Sequence, residues 1–182
     1  MDEPTIRKQR TSETVAPNLQ EYDAVRSAFS WEQARAELNG LPGGRGLNIA
    51  YEAVDRHAAS ERGGHVALRW VGKDGAVLEF TYRDLRKHTN RFANVLRDLD
   101  INEGETVFTL LGRMPYLYIA ALGTLKNASV FCPLFSAFGP EPVYQRLSRG
   151  DAALVVTTER LYEKRIAPQR ARLPHLRHIL LV

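Results

Sequence analysis

The sequence predicts an α/β fold: a partial Rossmann-like, mostly parallel sheet with flanking helices, preceded by a helical amino-terminal cap and a β-hairpin. Three observations predict it. From residue 106 onward, short apolar, β-branched runs (106–111, 130–135, 153–157 and 178–182) alternate with stretches of helical length, the pattern of parallel βαβ units. These runs are continuously apolar, as befits a sheet covered on both faces. Upstream, two strand-like runs flank the turn Gly72-Lys73-Asp74-Gly75 and lead into the helix start Thr81-Tyr82-Arg83-Asp84.

Residues 1–20 are polar and aperiodic and read as a flexible tail. Residues 21–80 form the cap region. Over 21–38 one amphipathic helix is expected, with Val25, Phe29, Ala34 and Leu38 near one face and Trp31 beside them. Gly40–Gly46 (GLPGGRG) is a connecting loop. Asn48 is placed to cap a helix over 49–60, in which Ala50, Val54 and Ala58 recur at helical spacing. Residues 66–71 and 76–80 are the hairpin strands, with Val66, Leu68 and Trp70 on one side. Residues 81–182 then begin an α/β domain. Thr81 and Asp84 fit a capping box, and Leu85, Phe92, Leu96 and Leu99 mark one buried stripe. Residues 115–126 are a helix with proline in the first turn, and Leu117, Tyr118, Ala121, Leu122 and Leu125 are expected inward. Residues 141–149 are a helix stopping at Gly150, and 159–172 are basic and partly helical. The chain ends inside an apolar strand, which reads as a truncated domain.

The 182 residues carry a net charge of +4. Arginines are scattered and interleaved with acidic residues, as on solvated helix faces, so a nucleic-acid surface is not predicted. No run approaches the ~20 apolar residues needed to span a bilayer, and the amino terminus is no signal peptide. Cys132 is the only cysteine, so no intrachain disulfide forms. Its apolar neighbours make it a buried, inert thiol, and a cytoplasmic location is expected.

Familiar motifs fail in turn. The loop GLPGGRG lacks the Gly-Lys-Ser/Thr ending of a phosphate loop, and no GxGxxG or GxSxG pattern occurs. His175 and His178 lack the partners a metal site needs, and no catalytic or metal-ligating residue is assigned. The loop Phe135-Ser136-Ala137-Phe138-Gly139 differs. It follows a strand's carboxyl end, where open α/β sheets bind ligands, and it precedes a helix amino terminus, whose amides and dipole favour anions. Its small residues allow close approach and its aromatics offer flat apolar surface. The same residues also fit an ordinary crossover loop, and chemistry by itself leaves both readings open. Lys164, Arg165, Arg170 and Arg172 form a basic cluster after the next strand, suited either to phosphates or to solvent.

Several segments resemble the AMP-forming acyl-CoA synthetases, in particular their acetyl-CoA and related short- and medium-chain branch. These are LNIAYEAVDRHA, ALRWVGKDGAVLEFTYRDL, RFANVLRDLDINEGETVFTLLGRMPYLYIAALGTLKNASVFCPLFSAF and VYQRLSRGDAALVVTTE. The resemblance runs from about residue 22 to the end, in order and without large gaps. It implies that the intact protein converts ATP, acetate or a short acyl substrate, and CoA into acyl-CoA, AMP and pyrophosphate through an acyl-adenylate, with Mg²⁺ assisting. The family's phosphate loop, its adenine contacts and its catalytic lysine do not occur in these residues, so the chain alone is expected not to adenylate. What carries over is CoA binding. The strand-end positions match Phe135, Ser136 and Ala137, with Ser136 and Ala137 in place of the family's glycines, and Lys164 and Arg165 are the nearest basic candidates for the CoA phosphates. Residues that choose acyl length lie outside this stretch in the family. The alternative from another class is a stand-alone, non-catalytic α/β interaction module.

Overall fold

A computed structural model describes Leu19 and residues 21–182. Apart from Leu19, the tail expected over 1–20 lies outside the described residues. The chain divides into two units, Met1–Leu38 and Asn39–Val182.

In the first unit the expected single helix is two: α1 (Tyr22–Ala28) and α2 (Trp31–Ala36). Phe29 turns extended, and the Ser30 hydroxyl accepts the Gln33 N–H at 3.2 Å, so a local cap overrides the helical periodicity. Phe29 and Trp31 meet edge to face, 5.1 Å between centroids. No residue of either helix is buried, so the apolar stripe enters no core within this unit.

The second unit begins with the glycine loop, closed by Leu41 N–H donating to Gly46 at 2.8 Å and by Glu52 accepting the Gly40 amide at 2.7 Å. Asn48 caps as expected: its Oδ1 accepts from the Ala50 and Tyr51 amides at 3.0 and 3.2 Å. The helix it opens is a π turn, Tyr51–Asp55, running into α3 (Arg56–Ala58), with Ala50, Val54 and Ala58 buried. The hairpin of β1 (Val66–Val71) and β2 (Val77–Thr81) is antiparallel. A register shift between Val66 and Leu68 leaves Val66 exposed, so the expected apolar side holds only Leu68 and Trp70, both partly buried.

Helix α4 (Tyr82–Asp98) starts on the predicted capping box, with both reciprocal bonds formed. Its buried residues Leu85, Thr89, Ala93 and Leu96 follow one face. Four parallel strands follow: β3 (Thr106–Leu110), β4 (Val130–Leu134), β5 (Ala152–Thr157) and β6 (His178–Leu181), in the order β4-β3-β5-β6. They are joined through α5 (Pro115–Lys126), α6 (Pro140–Arg149), and a run of α7 (Glu159–Leu161), a π turn (Tyr162–Ile166) and a 3₁₀ turn (Ala167–Arg172).

Both sheet faces are covered, which is why the strands are apolar throughout. Val107, Leu154 and Val156 pack with Leu96 of α4 and Ala120 of α5. Phe108, Leu110, Leu134 and Val155 pack with Val143 and Leu147 of α6, and with Ile166, Leu173 and Leu176. Helix α5 differs from expectation. Its buried residues are Pro115, Ile119, Ala120, Gly123 and Thr124, while Tyr118 is exposed. The helix is apolar on nearly all sides, so neighbours rather than periodicity choose its inner face.

At the amino-end edge of the sheet, Arg177 grips Glu105 with two bonds of 2.6 and 2.8 Å, and the same carboxylate accepts the Asn102 amide at 2.7 Å. The Arg177 bonds first and the Asn102 amide second push the Glu105 carboxyl from 4.5 down to about 2. A depressed carboxyl contributes stability that is complete above its unfolded value and lost as pH falls toward the folded value. Urea unfolding between pH 5 and 2.5 is therefore expected to show about 1 kcal/mol less stability from this group at the acid end, after allowing for the solvent screening of half-exposed Arg177. Arg177→Met should flatten that part of the profile; an unchanged profile would remove Glu105 as its source.

Candidate functional site

The strand order reverses direction at β3: the chain steps to β4 on one side and then to β5 on the other. In open α/β sheets such a switch point leaves a crevice beyond the carboxyl ends of the strands. Here the carboxyl ends of β3 and β5 are tied by the buried Thr157 hydroxyl, which donates to the Leu110 carbonyl at 2.9 Å. The loop after β3 is tied to the hairpin by the Trp70 indole N–H, 2.8 Å from the Arg113 carbonyl. Sequence periodicity carries no signal for either contact.

The loop after β4 holds the predicted residues. Ser136 and Ala137 are the centre of a turn closed by the Phe138 amide donating to the Phe135 carbonyl at 3.0 Å. Neither takes a positive φ, so the turn needs no glycine at these positions. Phe135 is 65% exposed and meets Phe138 edge to face, with 5.6 Å between centroids. Phe138 reaches down into the α6-side core, and the Arg146 guanidinium lies 4.2 Å from its ring centroid. Arg146 also donates to the Pro142 carbonyl at 3.0 Å. Arg146 therefore props the loop, a role that no feature of the sequence announced.

The amino terminus of α6 is a weaker anion site than expected. Pro140 and Pro142 have no N–H, so Glu141 alone among the first three helical residues presents one. The Glu141 carboxylate sits there as well, paired with Arg172 at 3.2 Å. The aromatic surface, rather than the helix end, is what this loop offers.

The basic cluster divides. Arg170 donates to the carbonyls of Leu173 and Leu176 at 3.0 and 2.6 Å and so serves the turn before β6. Arg172 lies 3.6 Å over the Tyr144 ring and pairs with Glu141. Lys164 is exposed, and Arg165 is half-buried with an Nε that has no partner among the described residues. Tyr162 and Ile166 of the same turn pack into the core cluster that also takes Phe138. Phe135–Ala137 directly follow β4, whereas Lys164 and Arg165 lie further into the crossover after β5, in the π turn beyond α7, with β3 between the two strands. Among the described residues no hydrogen bond or ion pair joins the two groups.

Cys132 is partly buried, and burial pushes its thiol above the ordinary value, away from the thiolate a nucleophile requires. The His57 and Tyr82 rings meet at a tilt, 5.0 Å between centroids, and burial and then Arg56 hold the imidazole below the ordinary value.

Residues 55–182 match the protein family described as AMP-binding enzyme. Acetyl-coenzyme A synthetase from Bacillus subtilis is 39% identical over 167 residues, covering 91% of this chain and 28% of the relative. A 3-hydroxypropionyl-coenzyme A synthetase from Sulfurisphaera tokodaii is 32% identical over 139 residues, 74% of this chain and 21% of the relative. Among solved structures, an acyl-CoA synthetase from Brucella canis superposes with a TM-score of 0.75 at 33% identity, covering 88% of this chain and 28% of that one. The chain spans a little over a quarter of the length of the curated relative it matches over most of its own length.

Proposed function

We propose, because this chain belongs to the AMP-binding enzyme family, that it is the amino-terminal portion of a cytoplasmic AMP-forming acetate–CoA ligase and supplies one wall of the CoA site. Residues 21–80 serve as its cap region and 81–182 as the first part of the adenylate-forming domain. The intact enzyme activates acetate with ATP and Mg²⁺ and passes the acetyl group from AMP to the CoA thiol.

The observation that carries this reading is the exposed Phe135 ring on a turn at the sheet's switch point, within the family match. In this reading the Phe135 ring gives the CoA adenine a flat surface, and Ser136 and Ala137 let the nucleotide approach the backbone. Lys164 and Arg165 neutralise its phosphates. In this reading Mg²⁺ is held by other parts of the intact enzyme.

Calorimetric titration of the 182-residue chain with CoA tests the assignment. Phe135→Ala should weaken binding about tenfold, ~1.4 kcal/mol, the scale of a base–aromatic stack. The same chain should show no ATP–pyrophosphate exchange with acetate. Equal CoA affinity in wild type, Phe135→Ala and Lys164→Ala would remove these residues from the site.

The likeness to a 3-hydroxypropionyl-coenzyme A synthetase favours a second reading, a different short acyl group on the same chemistry. Pyrophosphate exchange by the intact enzyme across a series of short carboxylates separates the two.

A further inference from the structure

At the opposite, amino-end edge of the sheet, the segments after α4 and α5 lead into β3 and β4, and a cavity of about 480 Å³ opens there between the glycine loop and α4. We propose that this cavity binds a phosphate group, free or carried as a phosphomonoester. The inference does not depend on the CoA assignment.

Asn90, Asn94 and Arg97 stand at i, i+4 and i+7 on one face of α4, and all three line the cavity. Arg45 of the glycine loop faces them from the other wall, and Lys126 and Asp55 also line it. Three cations against one carboxylate leave a net charge of +2 in one small space.

The donors are not consumed elsewhere. The Arg97 side chain makes no hydrogen bond or ion pair among the described residues. Arg45 uses only its Nε, donated to the Pro42 carbonyl at 3.0 Å, which leaves both terminal nitrogens of its fork. Lys126 has a side chain only 8% exposed and gives two of its three N–H groups to Asp55 and Asn90, at 2.6 and 2.7 Å. Asn90 accepts that bond through Oδ1, so its amide N–H₂ is left to donate. Two arginine forks, two amides and an ammonium suit the several oxygens and higher charge of phosphate better than the two oxygens of a carboxylate.

The test is an NMR titration of the ¹⁵N-labelled 182-residue chain with sodium phosphate, against sodium chloride at equal ionic strength. Phosphate should produce saturable shifts at Arg45, Asn90, Asn94 and Arg97, with Kd on the order of 1 mM, about 4 kcal/mol. The double variant Arg45→Gln/Arg97→Gln changes two surface side chains and should keep the fold, checked by its spectrum. It should lose at least about fivefold in affinity, ~1 kcal/mol. A parallel titration with glycerol 3-phosphate distinguishes the sources: tighter binding assigns a phosphomonoester, weaker binding assigns free phosphate. Unchanged affinity in the double variant, equal saturation by acetate, or shifts confined to Phe135–Ala137 would each overturn the proposal.

Discussion

Replacing Gly123 with alanine is expected to destabilise the chain by about 2 kcal/mol, although the same exchange at an exposed helical glycine stabilises by about 1 kcal/mol. The sign reverses because α5 crosses α4 at this residue. A Cβ on Gly123 would lie 2.7 Å from Phe92 Cδ1, 2.9 Å from Phe92 Cβ and 2.9 Å from the Thr89 carbonyl oxygen. A ring can swing aside, but the Phe92 Cβ and the Thr89 carbonyl belong to the α4 backbone or hang directly on it. Thr89 is fully buried, and its hydroxyl is bonded to the Leu85 carbonyl at 2.6 Å, so the turn it sits in has little room to relax. Relief requires the two helices to part, which opens the cluster of Leu96, Val107, Ala120 and Leu154 beneath them. Urea unfolding followed by circular dichroism measures the effect as a lowered midpoint at unchanged slope. Gly112→Ala is the control: it has open space and no positive φ, and should stay within about 0.5 kcal/mol of wild type. A raised midpoint for Gly123→Ala would mean that α4 and α5 slide past each other freely.

Gly123 also shows where sequence reading reaches its limit. Helix α4 was legible to its first hydrogen bonds, because Thr81 and Asp84 cap by local chemistry and its polar and apolar faces are distinct. Helix α5 was legible in extent but not in facing. With leucines, alanines and tyrosines spread around it, the small residues Ala120 and Gly123 decide what packs, and only a neighbour reveals that small is what fits. The break at Ser30 was written in the sequence as a capping residue, but the longer periodicity of 21–38 masked it.

The candidate site divides along the same line. The position of Phe135 at a strand's carboxyl end follows from the βαβ pattern, and the exposed ring agrees with it. The two prolines in the first turn of α6 were equally visible and argue against anion capture by that helix end on elementary grounds. Tertiary partners supply the rest. Arg146 under Phe138, Arg172 over Tyr144 and the carbonyls held by Arg170 separate cations that serve the fold from Lys164 and Arg165. A basic cluster in sequence is a count of charges, whereas a basic site is what remains after the fold has used its share.

The largest expected effect lies at the Lys126–Asp55 pair. The ammonium donates to the carboxylate at 2.6 Å, with side-chain exposures of 8% for Lys126 and 22% for Asp55. Burial first, with Arg86 adding to it, outweighs the pull of Asp55 and holds the Lys126 pKa below its ordinary value. Taking this charge out of water is costly, and its partner offsets only part of that cost. Removing either partner alone is destabilising, whereas removing both is nearly neutral. Asp55→Leu leaves a buried cation with only the Asn90 oxygen beside it and should cost about 3 kcal/mol. Lys126→Met leaves the more exposed carboxylate and should cost somewhat less, about 2 kcal/mol. The double variant removes both charges and should return to within about 1 kcal/mol of wild type, a coupling that a double-mutant cycle in urea reads directly. The pH dependence gives an independent check on the Asp55→Leu protein. Its lysine has a folded pKa below the unfolded one, so the unfolded chain binds more protons between the two values and stability rises with pH across that window. The deficit of Asp55→Leu should shrink as the solution is made alkaline, while that of Lys126→Met should not. Strictly additive single effects, or a double variant as unstable as Asp55→Leu, would show that packing of the lysine stem rather than charge governs this site.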